Sequence, residues 1–211
     1  MLLDPNELDL FFRLHQALMF FVNERLKVIP DKASTPEEFA ALSPQVRLKV
    51  RDAFLENLDL IESFAAEKPA HFSEDELDIV RSWRHLVHGR FYVFRELAKY
   101  TVFLSTTDPA IAYGVLALSQ PFEDLIGSYL PVLTQTVLLP FKGKIVYDGL
   151  MSSFNISFGP GIQRGFNESF KEAKARHGIV TSLPMSTVPL ARKSPKAQPA
   201  PKPPSREEKD E

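Results

Sequence analysis

The chain has 211 residues, 44% of them hydrophobic and 25% charged, with no cysteine and a formal net charge of -2. That is enough chain for one domain or two small ones, and it excludes disulfides, cysteine-bound zinc and a thiol nucleophile. The charge is uneven: residues 183–211 carry 4 Lys, 2 Arg and 4 acidic residues, a balance of +2, which leaves the body at -4. A body of that sign does not suit non-specific nucleic-acid binding, which rests on neutralising phosphates, although a local basic patch stays open.

MLLDPNELDLFF lacks the basic stretch of a secretory signal. No apolar run approaches the ~20 residues of a membrane helix. The expectation is a cytoplasmic protein with no membrane partner. The 17 Phe bring large apolar area to a core.

The spacing of Leu8, Phe11, Phe12, His15, Leu18, Met19, Val22 and Leu26 predicts a first helix over Asn6–Lys27. His15 falls on its apolar face and reads as a core histidine bonded to a backbone carbonyl. Phe20 falls among the polar positions, where either this chain or a partner must cover it. A short helix is predicted over Pro36–Leu42. Ser43-Pro44 then gives an N-cap with Pro at N1, opening a helix that runs on until Pro69. Ser73 and Glu76 have the spacing of a capping box. The helix they open buries Ile79, Val80, Trp83, Leu86 and Val87, and Gly89 should stop it. Residues 1–88 thus read as a helical region.

From residue 89 the pattern changes to RFYVF, YTVFL, AYGVLAL, VLTQTVLL and KIVY, short β-branched and aromatic runs separated by turn residues. Lys142-Gly143 fits a tight hairpin turn. These runs predict an antiparallel meander or a small barrel, with NISF as one more short run. A closing helix over Ile162–His177 should bury Ile162, Phe166, Phe170 and Ala173 and end at Gly178. Residues 89–182 form this sheet with its helix, packed with 1–88 as one unit. Residues 183–211 contain 7 Pro and almost no large apolar side chain. They predict a disordered tail with polyproline character, either a solubilising tail or a docking segment through its PKPP stretch.

Two constellations carry the functional expectation. In ISFGPGIQRGFNES, a short apolar run stops at Gly159-Pro160-Gly161 before a helix, and with Gly165 the glycines spell G-x-G-x-x-x-G. The dinucleotide fingerprint fails on spacing, and no second parallel strand follows. Pro160 also removes a donor. What remains is an anion site at the helix N-terminus with Arg164, joined by Lys142 or Lys144 if the hairpin folds over it. The alternative is a corner whose glycines take conformations other residues dislike. The second constellation is Arg81, Arg84, His85 and His88 at i, i+3, i+4, i+7, read as one helical stripe followed by Arg90 and Arg95. It is either an anion-binding surface or a set of cations complementing a helix C-terminus. His85 and His88 lack a third ligand for a metal. Asp148-Gly149 reads as turn chemistry. No nucleophile elbow, Walker A or kinase motif is present, and neither a cofactor nor a reaction is predicted.

The run LLPFKGKIVYDGLMSSFNISFGPGIQRGFNESFKEAKARHGI, with SEDELDIVRSWRH upstream, resembles an uncharacterised group of bacterial proteins. That group shares blocks like LPFKGKIVYDGL and GIQRGFNESFKEAKARHGI. The resemblance covers about residues 70–182; it implies no activity and transfers no site residue.

The chain is therefore expected to be an α+β protein: an N-terminal helical half, an antiparallel meander or small barrel, a closing C-terminal helix and a disordered tail. The expected function is a non-catalytic interaction or regulatory module of a bacterial cytoplasm with a protein partner, in contact through the Arg81/Arg84/His85/His88 face and the glycine loop. The alternative is a nucleotide- or nucleic-acid-binding protein, with phosphorylated substrates if it is an enzyme. A third class, a structural subunit burying Phe20 between chains, leaves the oligomeric state open.

Overall fold

The structure is a computed structural model, and it describes residues 1–30, 33–67, 72–127, 129–154, 156 and 158–185. The fold is α+β, with a helical N-terminal part, a five-stranded barrel and a helix near the end of the described chain. Helix α1 (Pro5–Leu26) starts at Asp4, whose carboxylate accepts the Asn6 amide, and ends at Lys27 in the left-handed region. Helix α2 (Pro36–Ala40) is capped by the Thr35 hydroxyl. Helix α3 (Pro44–Leu55) opens with Pro at its first position, as the sequence predicts.

The expected continuation of α3 to Pro69 does not occur, and Pro69 lies outside the described residues. The Asn57 side chain and amide donate to the Ala53 and Phe54 carbonyls at 2.8 and 2.9 Å. They satisfy the free end of α3, and a separate helix α4 (Leu60–Glu67) follows. Helix α5 (Glu74–Ser82) carries the capping box of Ser73 and Glu76 and leads into a 3₁₀ turn over Trp83–His85. Trp83 decides this early stop. Its indole N–H donates to the Pro140 carbonyl at 3.1 Å, and its ring lies edge-on to Phe11 and His15. The chain is extended from Val87, so Gly89 sits inside a strand rather than ending a helix.

The strands are β1 (Val87–Glu96), β2 (Thr101–Ser105), β3 (Ala112–Leu116), β4 (Val132–Phe141) and β5 (Lys144–Phe154). They close into a barrel in the order β1-β2-β3-β5-β4, with β4 back against β1. The pairing is antiparallel except between β3 and β5, which run parallel at Val115–Ile145 and Leu116–Val146. The purely antiparallel expectation is corrected there. Residues 117–131, which include helix α6 (Phe122–Ile126), carry the chain across the barrel end. Such a connection lets β4 enter beside β1 and leaves β5 to close on β3. Phe122 plugs that end against Phe103 and Tyr147, with centroids 5.0 and 5.3 Å away. Strand order and the single parallel pair are those of the OB-type Greek-key barrel. Lys142 and Gly143 both have positive φ in the β4–β5 hairpin, as predicted. NISF adds no described strand: β5 ends at Phe154, and Asn155 and Ser157 lie outside the described residues.

Two layers cover the barrel. Helix α7 (Pro160–His177) lays Phe166, Phe170 and Ala173 on Phe94, Val102, Leu104 and Ala112 of β1, β2 and β3. Strand β2 is consequently buried on both faces and reads as a continuous apolar run. Ile162, expected in this interface, is instead 54% exposed. The main core joins α1, α3, α4 and α5 to the barrel, and half-buried Phe20 packs against it, covered by this chain. Past α7, Val180 bridges Tyr113 in parallel. Leu183 and Met185 pack on the core, so the chain stays packed three residues into the expected tail. Residues 186–211, where disorder is predicted, lie outside the described residues.

One buried ion pair links the helical layer to the barrel. Arg51 of α3 donates from Nη1 to Asp148 of β5 at 3.1 Å, and both side chains are almost fully buried. Asp148-Gly149 is therefore not a turn. Residues 148–150 of β5 bulge opposite Val137 of β4, and Gly149 takes φ +83. The bulge turns the Asp148 carboxylate onto the Leu150 amide at 3.0 Å and the Thr136 hydroxyl at 3.2 Å. His15 stacks on Phe11 at 5.5 Å; the expected carbonyl bond is not among its contacts with the described residues.

Arg51→Met removes one charge and leaves the other buried, which should cost about 3–5 kcal/mol. Adding Asp148→Asn should restore most of that loss in urea unfolding; simple additivity of the two changes would refute the coupling. Burial, aided by Arg47 and Arg51, lowers the pKa of His15 from 6.5 to about 4. Its contribution to stability is full above pH 6.5 and is lost as pH falls toward 4. Asp148 has the opposite sign. Burial raises it from 3.8 to about 6 against the pull of Arg51, so its contribution is full below 3.8 and lost as pH rises through 6. His15→Gln should therefore close its stability gap to the wild type between pH 6.5 and 4. The slope cannot exceed about 1.4 kcal/mol per pH unit, the limit set by a single proton. A gap independent of pH would show that His15 does not titrate there.

Candidate functional site

A broad concave surface lies at the barrel end where α6 sits. Three hollows of about 610, 470 and 250 Å³ share the Leu130 wall. The largest is lined by Tyr129, Pro131, Phe154, Ile156, Phe158 and Gln163, among others. The strand directions bring these groups together: β1 ends there, β4 begins and β5 ends. The extra residue in β1, Phe94, sits at a register shift and faces the two smaller hollows.

Exposed apolar side chains stand among polar ones on its rim. Tyr129 is 93% exposed and Ile156 48%, and Leu97 of the second hollow is also open to solvent. Ordinary monomer surfaces scatter such residues; a cluster around a concavity marks an interaction surface. Arg95 also lines the groove but is held: its guanidinium lies 4.5 and 4.9 Å from the Phe94 and Phe170 rings and donates to Asn167. Glu96 and Glu123 contribute acidic groups to the lining, and exposed Asp124 follows on α6.

The glycine loop borders this groove, since Phe158 and Gln163 belong to its lining. Gly159 caps α7 with φ -69. Neither Gly159, Gly161 nor Gly165 has a positive φ, and a Cβ at each would meet nothing within 4 Å. The corner reading is thus corrected, because no backbone strain and no close packing against the described residues requires these glycines. Arg164 is exposed but is the fifth residue of α7, past the first turn where the sequence placed it. Lys142 and Lys144 do not join it; both ammonium groups approach Glu7 of α1.

The predicted basic stripe is dispersed, because α5 ends at Ser82. Arg81 is on α5, Arg84 and His85 are in the 3₁₀ turn, and His88 is on β1. Arg81 pairs with Asp78 at 2.6 Å and Glu74 at 3.5 Å. Arg84 pairs with Glu62 at 3.0 Å. His85 is exposed. His88 lies 3.4 Å from the Gln135 amide nitrogen, and burial lowers its pKa. Among the described residues no group of three or more His, Asp or Glu side chains is placed to hold a metal. The cavity beside Arg51, Asp148 and His15 holds about 10 Å³, room for no more than a water.

Sequence reasoning did not find the groove. Tyr129, Leu130 and Pro131 fall in a connection with no periodic pattern, and nothing local places them beside Ile156 and Phe158. No family model, curated protein or solved structure matches the chain.

Glycine inside a helix costs about 0.5–1 kcal/mol relative to alanine. Because a Cβ at Gly165 has open space, Gly165→Ala should stabilise the fold by about that amount in thermal melts. A lower melting temperature would mean that position 165 is packed in solution.

Proposed function

We propose that the protein is a non-catalytic interaction module of a bacterial cytoplasm, and that the groove at the α6 end of the barrel is its docking surface for an extended segment of a protein. The observation that carries this reading is the joined hollow edged by Tyr129 and Ile156. Aromatic-lined grooves of this kind hold extended peptides through a few apolar anchors. Gly159, Gly161 and Gly165 support it by leaving the bordering helix surface open to close approach. The Arg81/Arg84/His85/His88 face gains less support, since Arg81 and Arg84 are already paired with this chain's own carboxylates.

The alternative, nucleotide or nucleic-acid binding through Gly159, Gly161 and Arg164, also has less behind it. OB-type barrels take oligonucleotides on the face of strands 2 and 3, and here α7 covers that region with Phe166, Phe170 and Ala173.

A displayed peptide library panned on the wild-type protein should yield extended, apolar-anchored peptides. Their affinity should fall at least about tenfold for Tyr129→Ser/Ile156→Ser, the loss expected for removing two anchors, and stay unchanged for Arg81→Glu/Arg84→Glu. Binders that survive the groove substitutions and fail with the arginine reversals would overturn the reading. A rise in melting temperature with ATP or a short oligonucleotide, abolished by Arg164→Glu, would favour the alternative.

A further inference from the structure

The described chain ends at Met185, and the 26 residues 186–211 follow it. At Val180 the chain runs parallel to β3, toward the barrel end that carries the groove. At ~3.1 Å per residue in extended polyproline form, the 15 residues from Met185 to Ala200 span about 46 Å. A ten-residue strand spans about 33 Å, so the middle of the proline-rich segment can reach the far end of the barrel.

The chemistry of the two surfaces is complementary. Between Pro189 and Pro204 the tail carries six prolines, Arg192, Lys193, Lys196 and Lys202, and no acidic residue. The groove offers the rings of Tyr129, Phe154 and Phe158, and Glu96, Glu123 and Asp124 lie along the adjoining hollow and α6. Proline-rich segments dock on aromatic-lined grooves at low ordering cost, because their backbone is already extended. Flanking basic residues set orientation through acidic groups on the rim. The charge division of the chain, +2 in residues 183–211 and -4 in the body, works in the same direction.

We propose that the groove is occupied by the chain's own proline-rich segment, residues 189–204, docked in cis. This rests on the groove being a peptide-docking surface and adds which peptide holds it at rest. A partner segment then binds only by displacing the tail, and the tail's high effective concentration sets the affinity that the partner must exceed.

The chain has no cysteine, so a single Ala200→Cys variant of the full protein takes one nitroxide label. In nuclear magnetic resonance spectra, the amides of Tyr129, Leu130, Ile156 and Gln163 should lose most of their intensity, while that of Lys49 on α3 keeps its own. The loss should be independent of protein concentration and should weaken in Lys196→Glu/Lys202→Glu. An excess of synthetic peptide 189–204 should relieve it. Broadening seen only when labelled chains are mixed with isotope-labelled wild type would assign the contact to a second copy and overturn docking in cis. If the library peptides shift the Tyr129 and Ile156 resonances while the label broadens nothing, the docking surface stands and the tail proposal falls. If neither library peptides nor tail perturb the groove, both readings fall.

Discussion

The contact between Arg51 and Asp148 sets the relation between the two halves of the molecule. Neither group tolerates burial alone, since an unpaired charge inside a protein costs several kcal/mol. Arg51 also holds Asp52 of its own helix at 2.8 Å, but Asp148 has Arg51 as its cationic partner only when α3 is in place. Arg51 projects from α3 into the barrel wall, and the bulge at Gly149 turns Asp148 toward it while also presenting the carboxylate to the Leu150 amide. A pair of this kind adds little net stability over a hydrophobic contact of the same shape. It penalises any other placement of the helices on the barrel, and so specifies a single arrangement around the Phe11, His15 and Trp83 rings.

The same economy explains where the open surface lies. A small barrel needs cover on its apolar outer positions. The N-terminal helices take one side, and α7 takes β1, β2 and β3. The α6 end is plugged by Phe122 from within, and no layer of the described residues lies over it. Tyr129, Ile156 and their neighbours stay exposed around a concavity. The proposed interaction function is supported more by these exposed apolar side chains than by Arg81 and Arg84, which pair with carboxylates of this chain.

Features carried by neighbouring residues were legible in the sequence. The Ser73–Glu76 capping box, Pro44 opening α3, the Lys142-Gly143 turn and the Gly178 stop of α7 all appear as expected. Each rests on a hydrogen bond or a φ preference within a few residues. The candidate site was barely legible. Gly159 and Gly161 do border the groove, but they were singled out for phosphate chemistry, and the aromatic lining gives no local signal. The basic residues do not form one helical stripe for a related reason: their spacing assumed that α5 continued, and α5 ends at Ser82.

By itself the sequence determined the α+β class, the change from helices to strands near residue 88 and the apolar face that α7 buries through Phe166, Phe170 and Ala173. These follow from periodicity and backbone preference, which are properties of short segments. Only the tertiary structure decided that β5 runs parallel to β3, that Asp148 is a buried partner of Arg51 rather than a turn residue, and that the uncovered apolar surface gathers at the α6 end. Each of these depends on a contact between residues far apart in the chain, 97 positions in the case of Arg51 and Asp148. The physical reason is that burial and pairing are set by which surfaces meet, and the spacing of residues along one segment holds no record of that.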